Sequence, residues 1–199
     1  MQKSSISIRQ AIKSDAPFIA QAVAMAIGDE NAIKNYCGED YITLLTHIAE
    51  NEKSQYSYIN TLIAEIDGNA AGAVVGYNGA MLHELRATTY SIIYNELGRT
   101  PSIPDETEAG EFYLDSLAVL PAYRCQGIAS RLLKATAAKA LAMGIPQVGL
   151  LVDKGNPAGE RLYVSNGFHY ANDAQWGGHP MKHMVMTVNE EMQDTNHCI

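Results

Sequence analysis

The most constraining feature of this chain is a strand that passes through a tight turn directly into a long helix, over residues 113–133. The apolar run Leu117–Val119 ends just before Pro121, and an Arg-x-x-Gly-x-Ala motif at residues 124–129 stands where the helix begins. The first four N–H groups of a helix have no intrahelical partner, and the helix dipole adds positive charge there. The turn is therefore a candidate anion site, suited to a pyrophosphate.

Two well-known phosphate-binding loops do not fit this turn. A Walker loop requires G-x-x-x-x-G-K-[ST], and no segment of the chain supplies that pattern. A dinucleotide fingerprint requires G-x-G-x-x-G near the start of a β-α-β unit, whereas this turn lies in the second half of the chain. These differences argue against a dinucleotide-dependent oxidoreductase.

The turn instead resembles the R/Q-x-x-G-x-G/A loop of the GNAT superfamily of acyl-CoA-dependent N-acetyltransferases, with Ala129 at the last position. Downstream, the segment 156–168 is similar to the family signature N-x-x-A-x-x-L-Y-x-x-x-G-F, with Gly159 in place of the usual alanine. The resemblance covers about residues 112–168. It implies an α/β (α+β) fold in which a mixed, mostly antiparallel sheet of about seven strands carries helices on both faces. A V-shaped splay is expected between the fourth and fifth strands.

The same resemblance implies acetyl-CoA as cosubstrate and assigns residues to it. The pantetheine arm is expected along the backbone near Leu117 and Val119, and the pyrophosphate on the amides of the turn. The predicted coenzyme-binding set is Leu117, Ala118, Val119, Arg124, Cys125, Gln126, Gly127, Ile128, Ala129, Ser130, Asn156 and Tyr163.

Tyr163 matches the family position whose hydroxyl protonates the leaving thiolate, and it is the predicted general acid. A simpler role, packing on the sheet with the hydroxyl at the surface, stays open for this side chain. Asn156 matches a coenzyme-contacting position, but it is also placed to cap a helix. Arg124 either pairs with phosphate or is a solvated loop cation.

Amide formation also needs a group that takes a proton from the amine. Period-two alternation along the fourth strand places five residues on one face: Glu111, Tyr113, Asp115, Leu117 and Val119. Family members often carry their general base on this face, so Asp115 and Glu111 are the predicted base candidates. A structural hydrogen bond is an equally good explanation of Asp115. His83 and Glu84, on a helix predicted over 81–97, are further candidates.

Length and composition limit the remaining possibilities. The 199 residues suit one acetyltransferase domain, 1–199, with a helical insertion at about 79–110 and a polar tail at about 189–199. The net charge of −8 argues against nucleic acid as a partner and is compatible with a cationic acceptor. Three scattered cysteines and six histidines show no disulfide framework and no metal spacing.

The predicted order of elements is β-α-α-β-β-α-β-α-β-α-β-β. Trp176, His179 and Met181 are predicted in a loop without a specific role; lining the acceptor cleft or a dimer seam is the alternative. No run approaches membrane-spanning length and the first residues do not resemble a signal peptide, so a cytoplasmic protein without membrane partners is expected. A homodimer is possible.

The predicted function is acetyl transfer from acetyl-CoA to a primary amine of a small molecule or peptide, by direct attack in a ternary complex. A non-catalytic acyl-CoA-binding sensor on the same fold is the alternative, because function depends on the site and not on the fold. No segment of the sequence identifies the acceptor.

Overall fold

The computed structural model describes residues 5–189 of the chain. Seven strands occur in this part of the chain: β1 (Ile6–Gln10), β2 (Thr61–Ile66), β3 (Asn69–Asn78), β4 (Phe112–Val119), β5 (Gln147–Asp153), β6 (His169–Trp176) and β7 (His179–Thr187). Six helices accompany them: α1 (Ala16–Ile27), α2 (Glu30–Cys37), α3 (Tyr41–Glu50), α4 (Leu82–Leu97), α5 (Ile128–Ala142) and α6 (Pro157–Ser165). Cys198 and all but the first residue of the predicted tail lie outside the described residues.

The strands form one sheet in the order β1-β2-β3-β4-β5-β7-β6. Every neighbouring pair is antiparallel except β4 and β5, which are parallel. These two strands pair only over Phe112–Leu114 and Val148–Leu150 and then separate. The mixed sheet and the splay between the fourth and fifth strands are therefore confirmed, and the splay opens a cleft at the carboxyl ends of both strands.

A β-bulge in β4 changes which side chains face this cleft. Val75 of β3 pairs with Ser116, but Gly76 pairs with Leu114, so Asp115 is an extra residue on β4. A bulge reverses the alternation beyond it. Tyr113 packs against Tyr77 on one face, whereas Leu117 joins the core on the opposite face. The prediction that Glu111, Tyr113, Asp115, Leu117 and Val119 share one face is therefore wrong.

Two cores lie on opposite faces of the sheet. The first is packed under α5, whose small and branched residues recur at helical spacing, and it includes Phe112, Leu132, Leu133, Val148 and Leu150. The second lies under α1, α3 and α4 and includes Ile19, Val23, Leu45, Ile48 and Ile93. The insertion therefore belongs to the fold, since α4 contributes to the second core.

Helix α2 was not predicted from the sequence. Gly28 ends α1 with a φ of 72°, and the Asp29 carboxylate then caps α2 by accepting a hydrogen bond from the Ala32 amide at 2.9 Å. The helix has eight residues, of which Ile33, Tyr36 and Cys37 are buried. So short an apolar face leaves little periodicity to detect.

The β6–β7 hairpin is longer than the sequence indicates. Gly177 and Gly178 have φ values of 56° and 86°, which suits a two-residue hairpin turn between the strands. Trp176, His179 and Met181 are therefore strand residues and not loop residues. Most of β6 is exposed, so it lacks the apolar alternation that marks a strand. No helix among residues 5–189 is both long and apolar enough to cross a bilayer.

Candidate active site

A cavity of about 510 Å³ lies where β4 and β5 separate. Its walls come from five parts of the chain: the α1–α2 junction, β4, β5, α6 and the β6–β7 hairpin. Tyr56 and Glu106, from segments outside these elements, complete the lining. The cavity therefore joins residues that are far apart in sequence.

The turn before α5 has the geometry of an anion site. Gly127 is the N-cap residue with a φ of 77°, and Cys125 has a φ of 60°. Arg131 donates the first backbone hydrogen bond of the helix, to the Gly127 carbonyl at 3.1 Å, so the preceding amides stand at the open helix start. A Cβ built at Gly127 would meet no atom within 4 Å, so its positive φ, rather than crowding, favours glycine here.

Arg124 has a specific structural role in this turn. Its Nε atom donates to the Val119 carbonyl at 3.1 Å, which ties the turn to the end of β4. The side chain is otherwise exposed. It can hold the turn in place while its guanidinium remains available to an anion.

Asn156 and Tyr163 both line the cavity from α6. The Asn156 Oδ1 atom caps the helix by accepting from the Gly159 amide at 2.9 Å. A Cβ at residue 159 would lie 2.7 Å from Asn156 Nδ2, a contact that the end of this side chain relieves by a small shift, so nothing in the structure explains glycine in place of the alanine of the family signature. Tyr163 packs edge-to-face on Phe168, with ring centroids 5.8 Å apart. Burial raises the pKa of its hydroxyl to about 12, so the phenol keeps its proton at neutral pH.

Asp115 reaches the cavity from the bulge in β4. The Tyr77 hydroxyl donates to its Oδ2 atom at 3.1 Å, and the Ser116 hydroxyl donates to its Oδ1 atom at 2.9 Å. Burial raises the pKa of this carboxyl, and the two hydroxyl donors partly oppose that effect. The group is therefore better matched to a proton acceptor near neutral pH than an exposed aspartate is.

Glu106 is a second cavity carboxyl, and sequence reasoning missed it. Its side chain is 7% exposed and accepts hydrogen bonds from Arg86 Nη2 at 3.0 Å and from Gln55 Nε2 at 3.4 Å. Burial raises its pKa, the negative charge of Asp115 raises it further, and Arg86 opposes the rise. Glu106 lies in the irregular stretch before β4, where no periodic pattern marks one acidic residue above another.

The other predicted base candidates lie elsewhere. Glu111 does not line the cavity; it accepts from the Thr107 hydroxyl at 2.5 Å and contacts His183 Nε2 at 2.9 Å. His83 is exposed and lies 3.2 Å from an Asp105 carboxylate oxygen, and Glu84 is exposed. The structure therefore brings Asp115 together with Tyr163, but not with Glu111 or with the exposed face of α4.

The hairpin and the α1–α2 junction meet at the cavity. His179 Nδ1 lies 3.2 Å from Asp153, and its Nε2 atom lies 3.5 Å from Asp29. Trp176 packs on Tyr36 with ring centroids 6.1 Å apart. The residues placed in a loop by sequence analysis thus form part of the wall.

Acidic side chains predominate among the charged residues that line the cavity. Its described lining contains four acidic residues and neither lysine nor arginine; the acidic residues are Asp29, Glu106, Asp115 and Asp153. Such a surface attracts a cation and repels an anion. Within residues 5–189, no group of three or more His, Cys, Asp or Glu side chains is arranged to hold a metal ion.

Comparisons with known proteins agree on one family. A family model described as "Acetyltransferase (GNAT) family" matches residues 30–168. A crystal structure described only as an acetyltransferase is 30% identical, with a TM-score of 0.76 over 92% of this chain and 100% of that one. The N-acetyltransferase from Staphylococcus aureus Mu50 is 24% identical, with a TM-score of 0.75 over 90% of this chain and 100% of that one.

The Salmonella typhimurium protein yncA, solved with its cofactor acetyl-CoA, has the same fold. It is 18% identical, with a TM-score of 0.59 over 93% of this chain and 95% of that one. A search of curated proteins finds no match.

Proposed function

Since the chain belongs to the GNAT family of acetyltransferases, we propose that it transfers the acetyl group of acetyl-CoA to a primary amine of a small molecule or peptide. The observation that carries this proposal is the cavity at the splay of β4 and β5, which Tyr163 and Asp115 both line. A proton donor and a proton acceptor on one cavity are what acyl transfer to an amine requires.

The donor side is proposed to hold acetyl-CoA through backbone groups. The open amides of Gln126–Ser130 suit its pyrophosphate, because they combine free N–H groups with the positive end of the α5 dipole. The edge of β4 at Leu117–Val119, left unpaired by β5 beyond Leu114, suits strand-like hydrogen bonds to the pantetheine amides. The thioester would then lie near Tyr163 and Asn156.

In the proposed reaction Asp115 takes one proton from the acceptor, which frees the nitrogen lone pair. The nitrogen forms a bond to the acetyl carbon and the C–S bond breaks. The Tyr163 hydroxyl gives its proton to the departing sulfur and regains one from the nitrogen, through water or the product thiol. Direct transfer of this kind needs both substrates bound at once.

The charge of the cavity supports an amine and not a nucleic acid as the partner, since its described lining is acidic. We further propose a cytoplasmic location. The homodimer stays a prediction.

The experiment that tests this function incubates the purified protein with acetyl-CoA and a panel of primary alkylamines, arylamines and peptide amines. Thiol release and the mass of the product are followed together. Amine-dependent thiol release with an acetylated product supports the proposal. Tight binding of acetyl-CoA without turnover on any amine would favour the sensor, and a co-purified nicotinamide nucleotide would contradict both.

A further inference from the structure

We propose that Glu106 and Asp115 act as one acidic pair that binds the acceptor as its ammonium ion and receives the proton that the acceptor must lose. The inference rests on the proposed acetyl transfer and names the substrate class: amines that are protonated at neutral pH, such as alkylamines. Under this proposal Glu106, which lies in the 79–110 insertion, is a catalytic residue. Both carboxyls line the same cavity.

A continuous set of hydrogen bonds joins the two carboxyls. Gln55 Nε2 donates to Glu106 Oε1 at 3.4 Å and to the Tyr77 hydroxyl at 3.1 Å. Tyr77 in turn donates to Asp115 Oδ2 at 3.1 Å. Gln55 and Tyr77 are 1% and 3% exposed, so this connection is shielded from solvent. The two carboxyls are thereby held as one unit, and the charge of each affects the protonation of the other.

Arg86 fixes the position of Glu106. Its guanidinium contacts Glu106 Oε1 at 3.0 Å and Asp105 at 2.7 Å, and it also donates to the Pro104 carbonyl at 3.1 Å. These three hydrogen bonds from one planar group hold the loop before β4 in a defined path. Arg86 does not line the cavity, so it acts as a positioning residue and not as a ligand of the acceptor.

The charges of this group are unbalanced without a cation. Arg86 contributes one positive charge, which it divides between Glu106 and the more exposed Asp105, whereas the two ionised carboxylates of the pair contribute two negative charges. Without a bound cation, a proton shared by the pair reduces this negative charge near neutral pH. Buried charge is costly unless it is paired. One bound ammonium would neutralise the group, whereas a neutral amine would not.

Aromatic rings complete the surroundings of the pair. Tyr56, Tyr113 and Trp176 line the same cavity. Aromatic faces attract organic cations and pack against the hydrocarbon part of an alkylamine. An acidic pair beside such rings suits a small alkylammonium better than an anionic or strongly hydrated ligand.

The proton balance of the step is closed. The ammonium R–NH₃⁺ gives one proton to the carboxylate pair, which becomes singly protonated and later releases that proton to water. The neutral nitrogen then forms the N–C bond as the C–S bond breaks, and its second proton replaces the one that Tyr163 gives to sulfur. The sum is an amide, a thiol and one proton released to solvent.

The test compares Glu106→Gln with Glu108→Gln, which removes the same charge from an exposed position two residues away. Two probes of similar shape are used: benzylamine, which is an ammonium ion at neutral pH, and aniline, which is neutral. For Glu106→Gln we expect kcat/KM for benzylamine to fall about 10–100-fold. With aniline the fall should be only roughly two- to threefold, because no ammonium contact and no prior deprotonation are lost.

A second readout does not need turnover. Calorimetry in buffers of different ionisation enthalpy gives the protons released when benzylammonium binds to the protein saturated with coenzyme A. The wild type should release protons near neutral pH, since the cation displaces the proton shared by the pair, and Glu106→Gln should release fewer. Glu106→Asp, which keeps the charge on a shorter side chain, should restore part of both effects.

The outcomes separate the proposals. If Glu106→Gln matches Glu108→Gln with both probes, or loses activity equally with benzylamine and aniline, the acidic pair is wrong while the transferase proposal stands. If the wild type consumes no thioester with any amine, the proposed function fails. The acidic pair is then tested by calorimetry alone: proton release on benzylammonium binding that decreases in Glu106→Gln supports it, and equal release in both proteins contradicts it.

Discussion

The two sides of the cavity are built in different ways. The proposed donor side comes from one stretch of chain, β4 to α6, and offers mainly backbone: the free edge of β4 and the amides at the start of α5. The acceptor side is assembled from the α1–α2 junction, the insertion, the β6–β7 hairpin and Asp115 at the bulge of β4, and it offers mainly side chains. Binding of the coenzyme by backbone groups needs a fixed local geometry, which a short sequence motif can encode. Binding of the acceptor by side chains needs residues that are distant in sequence to lie close together, and no short motif encodes that.

This difference predicts different responses to mutation. Changes on the donor side should affect every acceptor equally, because they alter coenzyme binding or the departure of sulfur. Changes on the acceptor side should depend on the charge of the amine. The experiments below test that division, from the largest expected effect to the smallest.

The largest effect is expected from Tyr163→Phe. The variant loses the proton donor but keeps the ring that packs on Phe168. We expect kcat to fall by about 10²–10⁴-fold with all amines, as for the loss of a general acid, while the affinity for acetyl-CoA changes little. Steady-state kinetics and calorimetry check the two parts. Tyr170→Phe removes an exposed hydroxyl and is the control. A native rate at all pH values would remove Tyr163 from the mechanism.

A smaller effect is expected from Gly127→Glu at the start of α5. The variant strains a residue with a φ of 77° and places a negative charge at the proposed pyrophosphate site. Affinity for acetyl-CoA should fall roughly 10–100-fold, with no dependence on the acceptor. Gly144→Glu is the matched control, because Gly144 ends the same helix with a φ of 69° and has equally open surroundings. Equal loss of coenzyme affinity in both variants would show that strain alone is responsible.

Much of the fold follows from the sequence because its signals are local. Seven strands and five of the six helices were predicted, and turns such as Asp67-Gly68 mark their ends. Helix α2 was missed because eight residues carry too few periodic positions. The hairpin was predicted too short because most of β6 is exposed and its sequence lacks alternation.

Less of the candidate site than of the fold can be predicted from the sequence, because its residues meet through long-range contacts. Period-two alternation predicts Asp115 on the face of Tyr113, and the Tyr77 hydroxyl meets it there. No local pattern predicts the bulge opposite Gly76, beyond which Leu117 and Val119 join the core on the other face. A Cβ at Gly76 would lie 2.6 Å from the Phe112 ring, so close packing there requires glycine. Glu106 could not be selected at all, since its position depends on Arg86, 20 residues away in the sequence. The roles of both carboxyls stay predictions.

The smallest effect, and the one that tests the acceptor side without any substrate, is a change of stability with pH in Asp115→Asn. Burial raises the pKa of the folded Asp115 carboxyl above its unfolded value, so ionisation opposes folding. The stability contributed by the neutral form is fully present below the unfolded pKa, near 4, and is lost as the pH rises through the folded pKa. Asparagine keeps a neutral side chain of the same shape, and removing one anion also relieves its repulsion with Glu106.

The variant should therefore gain free energy of unfolding relative to wild type as the pH rises from about 4 to 8, by on the order of 1–3 kcal/mol. In a chain of this size each 1 kcal/mol corresponds to about 2–4 °C in Tm, which calorimetry or circular dichroism resolves. Asp173→Asn is a control of opposite sign, because hydrogen bonds from Lys154 lower the pKa of that exposed carboxyl. Its contribution is lost only as the pH falls below about 4, so the difference between Asp173→Asn and wild type should stay nearly constant from about pH 5 to 8. A flat difference between Asp115→Asn and wild type would mean that Asp115 is solvated and ordinary, and the acidic pair would then lack its first member.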